Sequence, residues 1–268
     1  MKKNISFKRQ WFYGFHVVFS IIKNIKNRKI FQIWLTASSY QKFSFCNLYF
    51  SFPVFVKKNI DFSKKFGHES VHQGCAIETV SLLENHSLRT VFSNNNVDCC
   101  FVILDQVEDT RNIGAILRIS SVFNSNGLIV LSRNNTIQYS KLLFKSASGS
   151  FDSCPLLCVS NLSKTLSFLK KNNVLCCGLD ESGISMLDFF SNFNKHLLLK
   201  KNNLFLVKNK IKRIAFVLGR ESKGLRNFTK RECDFLLSLP VNSNFSTLNV
   251  SSVVSILLFN FFLYLKEK

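Results

Sequence analysis

From Cys99 onward the chain alternates apolar runs of strand length with segments of helical spacing, and few folds accommodate that order. "CCFVILD" is a strand-length run, "NIGAILRISSVF" repeats apolar positions at Ile113, Ile116 and Leu117, and "GLIVLS" is a second run. Strand, helix, strand in succession is a βαβ unit, which requires a parallel sheet with a ligand crevice at the carboxyl ends of its strands. "PLLCVS", "LSKTLSFLKKN", "VLCCGLD", "RIAFVLG" and "FLLSLP" continue the alternation, so the fold class is α/β.

The remainder of the 268 residues divides by pattern. A basic tail occupies 1–10, and 11–83 mixes a helical pattern at Val17, Val18, Ile21 and Ile22 with short runs such as "KIFQIWLTA", as a small α/β unit would. The polar, Asn-rich stretch 84–98 reads as a linker to a second domain over 99–268.

Charge and cysteine usage narrow the partners. Thirty-six Lys+Arg against 16 Asp+Glu give a formal charge of +20, which suits a polyanion. Heavy use of Phe, Lys, Asn and Ile, as in an A/T-biased genome, offers a merely basic surface as the other explanation. The nine Cys form no paired CxxC set and the five His are scattered, so reduced core thiols are expected and no metal site. "WFYGFHVVFSII" lacks a following cleavage site and is too short to span a bilayer. The C-terminal "VSSVVSILLFNFFLYLKEK" is interrupted by Ser251, Ser252, Ser255 and Asn260 and reads as a buried helix. A cytoplasmic protein with no membrane partner is expected.

Three strand exits carry polar residues. After the first run come Asp105, then Asn112 and Gly114 near a helix start; Gly114 admits a close backbone approach. Arg118 lies one to two turns into that helix, where its planar fork suits a phosphate. A surface role for Arg118 and a helix-cap role for Asn112 are the plain alternatives. "FVLGRESKGL" leaves a strand through Gly219, presents Glu221 and turns at Gly224. In "LSLPVNSNFSTLNVSSVVSILLF", Pro240 closes a strand and a polar stretch opens the last helix.

Together these residues resemble the three motifs of the SpoU (TrmH) family of SPOUT methyltransferases. The first is matched by Asn112, Gly114 and Arg118, and the second by Leu218, Gly219, Glu221, Gly224 and Leu225. The third is matched by Leu239, Pro240, Thr247, Leu248, Asn249, Val250 and Ser251. Ser222 stands where the family commonly has Gly, and Thr247 where it has Ser, keeping the hydroxyl. "YGFHVV", "VHQG" and "KSASGSFDSCPL" are similar to segments of the subfamily that methylates a guanosine ribose in 23S rRNA, whose small ribosomal-protein-L30-like domain precedes the catalytic one.

The resemblance implies a trefoil-knotted C-terminal SPOUT domain, S-adenosyl-L-methionine as cofactor, a homodimer, and large-subunit rRNA as substrate. It places Asn112, Arg118, Glu221, Thr247 and Asn249 in the catalytic set, and Leu218, Gly219, Leu239, Pro240, Leu248 and Val250 around the cofactor. Arg118 would hold a phosphate and stabilise the developing alkoxide, the proton passing to phosphate or water, with Arg118 itself as the other acceptor. Asn112 and Asn249 would orient Arg118 or the ribose, and Glu221 would fix Arg118 or the cofactor loop. RNA reading would fall to the first domain, with Lys8, Arg9, Tyr13 and His16 as candidates, although Tyr13 and His16 also suit core packing. The basic stretch Lys195 to Arg213 would track phosphates or form a solvated face. A tRNA ribose methyltransferase of the same family and a decayed ribosome-assembly protein are the alternatives.

Overall fold

The computed structural model describes residues 9–25, 29–45, 51–80, 87–94, 99–131, 141–192, 206–207, 210–221, 223–241 and 248–266. The chain divides into two units, 1–85 with 148–152, and 86–147 with 153–268.

The first unit contains strands β1 (Arg9–Tyr13), β2 (Ile30–Leu35), β3 (Val54–Val56) and β4 (Cys75–Val80), in the order β1-β4-β2-β3. Its helices are α1 (Phe15–Lys23), α2 (Ala37–Phe45) and α3 (Asn59–Phe66). Register places Phe12, Ile77 and Ile33 on one sheet face, all buried, and Trp11, Glu78 and Gln32 on the other. The expected "VHQG" segment makes a tight turn: Gln73 and Gly74 have positive φ (51° and 73°), and Gln73 Oε1 accepts the Phe15 N–H that opens α1. His72 stacks on Phe62 with ring centroids 4.5 Å apart while its Nδ1 accepts the Gly74 N–H; burial lowers its pKa. Tyr13 packs on Phe66 as a half-buried ring, whereas His16 is exposed.

The second unit is built on six parallel strands. They are β5 (Cys99–Leu104), β6 (Gly127–Leu131), β7 (Leu156–Val159), β8 (Leu175–Ser185), β11 (Arg213–Leu218) and β12 (Phe235–Ser238). A short hairpin of β9 (Leu206–Val207) and β10 (Lys210–Ile211) lies between β8 and β11 in sequence. Helices α4 (Leu88–Asn94), α5 (Thr110–Val122), α6 (Lys141–Ala147), α7 (Leu162–Lys171), α8 (Met186–Ser191), α9 (Asn227–Glu232) and α10 (Val250–Lys266) complete it. The strand order β12-β8-β11-β5-β6-β7 reverses direction at β5, so the exits of β5 and β11 flank the switch point where such sheets form their crevice.

Three expectations need correction. The stretch 84–98 is no plain linker: α4 forms inside it, burying Val91 in the second unit's core with Leu88 and Phe92 against it. Its apolar residues follow helical spacing that the Asn-rich ends conceal. β8 outruns "VLCCGLD" because its pairing with β12 jumps from Gly178↔Leu236 to Ile184↔Leu237, leaving Leu179 to Gly183 outside the ladder. The C-terminal helix is buried on one side only. Val250, Val254, Leu257, Leu258 and Phe261 face the core at helical spacing, whereas Ile256, Phe259, Phe262 and Leu263 are exposed.

The cysteines among the described residues are free thiols, most of them buried, and burial pushes Cys154 up to about 12. No described helix is long and apolar enough to cross a membrane, and no cluster of metal-ligating side chains occurs among the described residues.

Gly114 sets how closely α5 and α6 approach. A Cβ there would stand 2.9 Å from the Leu143 carbonyl oxygen and 2.8 Å from Ser146 Cβ. Gly114→Ala should therefore lower stability by about 1–3 kcal/mol in urea unfolding, although alanine alone favours a helix by about 1 kcal/mol. An unchanged midpoint would show that the helices part without cost.

Candidate active site

The three polar strand exits meet at the carboxyl ends of β5 and β11. Asp109 caps α5 by accepting the Arg111 N–H at 2.8 Å, so Asn112 is not the cap and its side chain is available elsewhere. Hydrogen bonds from Arg111 hold the Asp109 carboxyl below the usual carboxylate range.

Asn112 turns to Glu221. Its Nδ2 donates to Glu221 Oε1 at 3.0 Å, and Asn249 Nδ2 donates to the same oxygen at 3.2 Å and to Asn112 Oδ1 at 3.1 Å. The Val250 N–H also points to Glu221 Oε1, at 3.4 Å. Asn249 begins α10, its Oδ1 accepting from Ser251 N and Oγ at 2.8 and 2.6 Å. A carboxylate at that end of α10 faces the positive pole of the helix. One residue from each expected motif thus shares a single hydrogen-bonded cluster.

Glu221 is held out by a closed loop. Gly224 has φ 61°, and Arg220 and Gly224 exchange backbone hydrogen bonds of 3.2 and 2.8 Å. A Cβ on Gly219 would lie 2.1 Å from the Gly224 carbonyl, so this turn requires glycine at 219. Thr247 and Ser222 lie outside the described residues.

Arg118 does not join the cluster. It is exposed, and it makes no hydrogen bond or ion pair with any described residue. Six residues separate it from Asn112, about 9 Å along α5 and roughly a third of a turn away. No hydrogen bond joins it to Asn112, Asn249 or Glu221, whose side chains bond to one another instead.

A second layer beneath the cluster escaped the sequence reading. Asp105, fully buried at the end of β5, accepts from Thr229 Oγ1 at 2.6 Å and Arg226 Nε at 3.0 Å through Oδ2. Its Oδ1 has no well-directed hydrogen bond but faces Arg226 Nη2 at 2.7 Å, so ionic contact meets that charge. Arg220 donates to the Gln106 carbonyl at 3.1 Å and to Glu108 Oε1 at 2.6 Å. The available signal was an aspartate ending a wholly apolar strand, a buried charge that needs a partner.

The other expected positions bring backbone groups and apolar side chains to the exits. Leu239 is half-buried, Pro240 and Leu248 are exposed, and Val250 is buried. Among the described residues, the backbones of Gly219, Leu239 and Leu248 make no hydrogen bonds, leaving donors and acceptors beside apolar side chains. Apolar contact with a few convergent polar groups is the usual composition of a cofactor site.

Comparison with known proteins identifies the family and the fold. The model of the SpoU rRNA Methylase family matches residues 100–259. The 23S rRNA (guanosine-2′-O-)-methyltransferase RlmB of Blochmanniella floridana is 31% identical over 194 residues, covering 71% of this chain and 69% of the relative. RlmB of Shewanella oneidensis is 27% identical over 263 residues, covering 94% and 96%. Among solved structures, the SpoU methyltransferase AviRb of Streptomyces viridochromogenes, in complex with AdoMet, shares the fold with TM-score 0.72 at 16% identity, covering 97% of this chain and 91% of its own.

The buried pair is open to a double-mutant test. Asp105→Ala and Arg226→Ala should each destabilise by about 2 kcal/mol or more, with a coupling energy of about 1–3 kcal/mol between them in chemical denaturation. Additive losses would show that the two charges do not act together.

Proposed function

From the chain's membership of the SpoU rRNA methylase family, we propose that this RNA methyltransferase modifies the ribose 2′-hydroxyl of a guanosine in large-subunit rRNA. The observation that carries the reading is the cluster in which Asn112, Glu221 and Asn249 join at the strand exits. Two relatives named as 23S rRNA (guanosine-2′-O-)-methyltransferases support the substrate, one of them over nearly the whole chain.

S-adenosylmethionine is the cofactor, and it supplies an electrophilic methyl group on a sulfonium. Gly219, Leu239 and Leu248 would hold its adenosine end through their unpaired backbone groups, with Leu218, Pro240 and Val250 shaping the apolar wall. Asn112, Glu221 and Asn249 fix the loops that frame it. Arg118 would take a phosphate beside the target ribose and stabilise the oxyanion as the 2′-hydroxyl loses its proton to phosphate or water. An arginine stays protonated in proteins, which disfavours it as the base. Thr247 is assigned to the same set on its motif position.

The C-terminal segment is read as a trefoil knot. Its support is that β12 lies two strands from β11, yet the chain returns at Asn249 to touch Glu221 and Asn112. The first unit is read as an L30-like domain that engages RNA. A homodimer is supported by the exposed apolar side of α10, at Phe259, Phe262 and Leu263. Phe123 touches both phenylalanines, and Val122 is 73% exposed one turn beyond Arg118, which puts Arg118 at the margin of that surface.

Mapping ribose 2′-O-methyl groups in rRNA from cells with and without the gene tests the substrate; an unchanged large-subunit map would reject it. Arg118→Ala should reduce methyl transfer by about a hundredfold or more while calorimetry shows S-adenosylmethionine affinity within about twofold of the parent. Lost cofactor affinity with surviving turnover would refute the role given to Arg118.

A further inference from the structure

One face of the first unit's sheet carries aromatic side chains that α3 covers in part, through Phe62 and Phe66, and leaves half exposed. Trp11 and Trp34 meet edge to face with centroids 4.9 Å apart, and both stand against Phe66, at 5.5 and 6.2 Å. They reach each other across the central strand because Ala76, which Tyr13 and Trp34 flank in the register, leaves the space above it open. Both indoles are only half-buried, and Phe55, paired beside Trp34, is 43% exposed.

Two lysines lie over these rings, and two further cations lie over Phe31 on the neighbouring part of the sheet. Lys57 lies 5.4 Å from the Trp34 ring and 5.9 Å from Phe55, and Lys65 lies 5.5 Å from Trp11. Arg9, two residues before Trp11 and so on the same face of β1, lies 4.0 Å over Phe31, which Lys29 also approaches at 5.6 Å. Glu78 occupies the same row as Trp11, but Gln32 Nε2 donates to its carboxylate at 2.7 Å, and Trp34 Nε1 donates to Gln32 Oε1 at 3.1 Å. Like charges gathered in this way repel one another, and a polyanion laid across them relieves the repulsion. Flat rings with cations at their margins offer a base its π-face and a backbone its counter-charges, in a form that tolerates any sequence.

We propose that this face, with Trp11 and Trp34 at its centre, is a stacking platform for single-stranded RNA whose phosphates are met by Lys57, Lys65 and Arg9. The proposal rests on reading the chain as an RNA methyltransferase, and it assigns the substrate a point of attachment on the first unit.

The test uses the full chain and its own fluorescence, because its two tryptophans are both in the platform. A single-stranded oligoribonucleotide of about ten nucleotides should quench their emission, whereas inorganic polyphosphate of matched charge should leave it unchanged. In the Lys57→Ala/Lys65→Ala double variant, RNA affinity should fall about tenfold, with the quench at saturation and S-adenosylmethionine binding both retained. Trp34→Phe should bind RNA within about twofold of the parent and Trp34→Ala about tenfold more weakly; the lysine variant decides the matter if Trp34→Ala does not fold. Labelled RNA that binds without altering the emission would overturn the proposal. Equal quenching by polyphosphate would do the same, as would no binding at about 100 μM RNA in low salt. Methyl transfer without quenching would remove the platform and leave the enzymatic reading intact, whereas quenching without methyl transfer would do the reverse.

Discussion

The arrangement at the strand exits depends on one oxygen. Glu221 Oε1 receives Asn112 and Asn249, and the Val250 N–H points to it, so a single acceptor gathers groups 109 and 28 residues away from it in sequence. Each such bond is worth only about 1 kcal/mol net in an exposed setting. What the oxygen contributes is therefore geometry more than stability. It fixes the start of α5, the Gly219–Gly224 turn and the start of α10 in one frame, and a methyl transfer needs its reacting atoms aligned to a fraction of an ångström.

That frame rests on a stronger layer. Asp105 is wholly buried, and a buried carboxylate is costly unless it is paired and hydrogen-bonded, which Arg226 and Thr229 achieve. The pair joins the end of β5 to the start of α9, so the loops on either side of the switch point cannot drift apart. The upper cluster can then be exposed and weak, because the lower one already sets the distance between its members.

Legibility in the sequence followed the same division. The parallel sheet was readable because strands buried on both faces are almost uniformly apolar, as in "CCFVIL" and "RIAFVL". The clustering of Asn112, Glu221 and Asn249 was foreshadowed by the resemblance to family motifs at three strand exits, where polar and turn residues interrupt the apolar pattern. Asp105–Arg226 was not, since nothing local tells which of many arginines meets a buried aspartate 121 residues away. The strand order and the five-residue excursion in β8 are likewise tertiary facts, decided by Gly183 lying against the Leu236 and Leu237 backbone. α4 was hidden for a different reason: polar ends made a short, one-sided helix look like linker. α10 misled in the opposite direction, because apolar content does not reveal which face is covered.

The acid-rich stretch after β5 has a further consequence for charge. Asp105, Glu108 and Asp109 each take one arginine: Arg226, Arg220 and Arg111 respectively. Arg111, Arg220 and Arg226 are thereby committed to protein carboxylates, whereas Arg118 has no such partner among the described residues. An incoming phosphate would have to displace an existing partner from any of the three, whereas Arg118 needs only to shed water. In a chain carrying a formal charge of +20, RNA has many places to adhere. Under the proposed role of Arg118, the position of that one guanidinium, more than the overall charge, would select which ribose is presented.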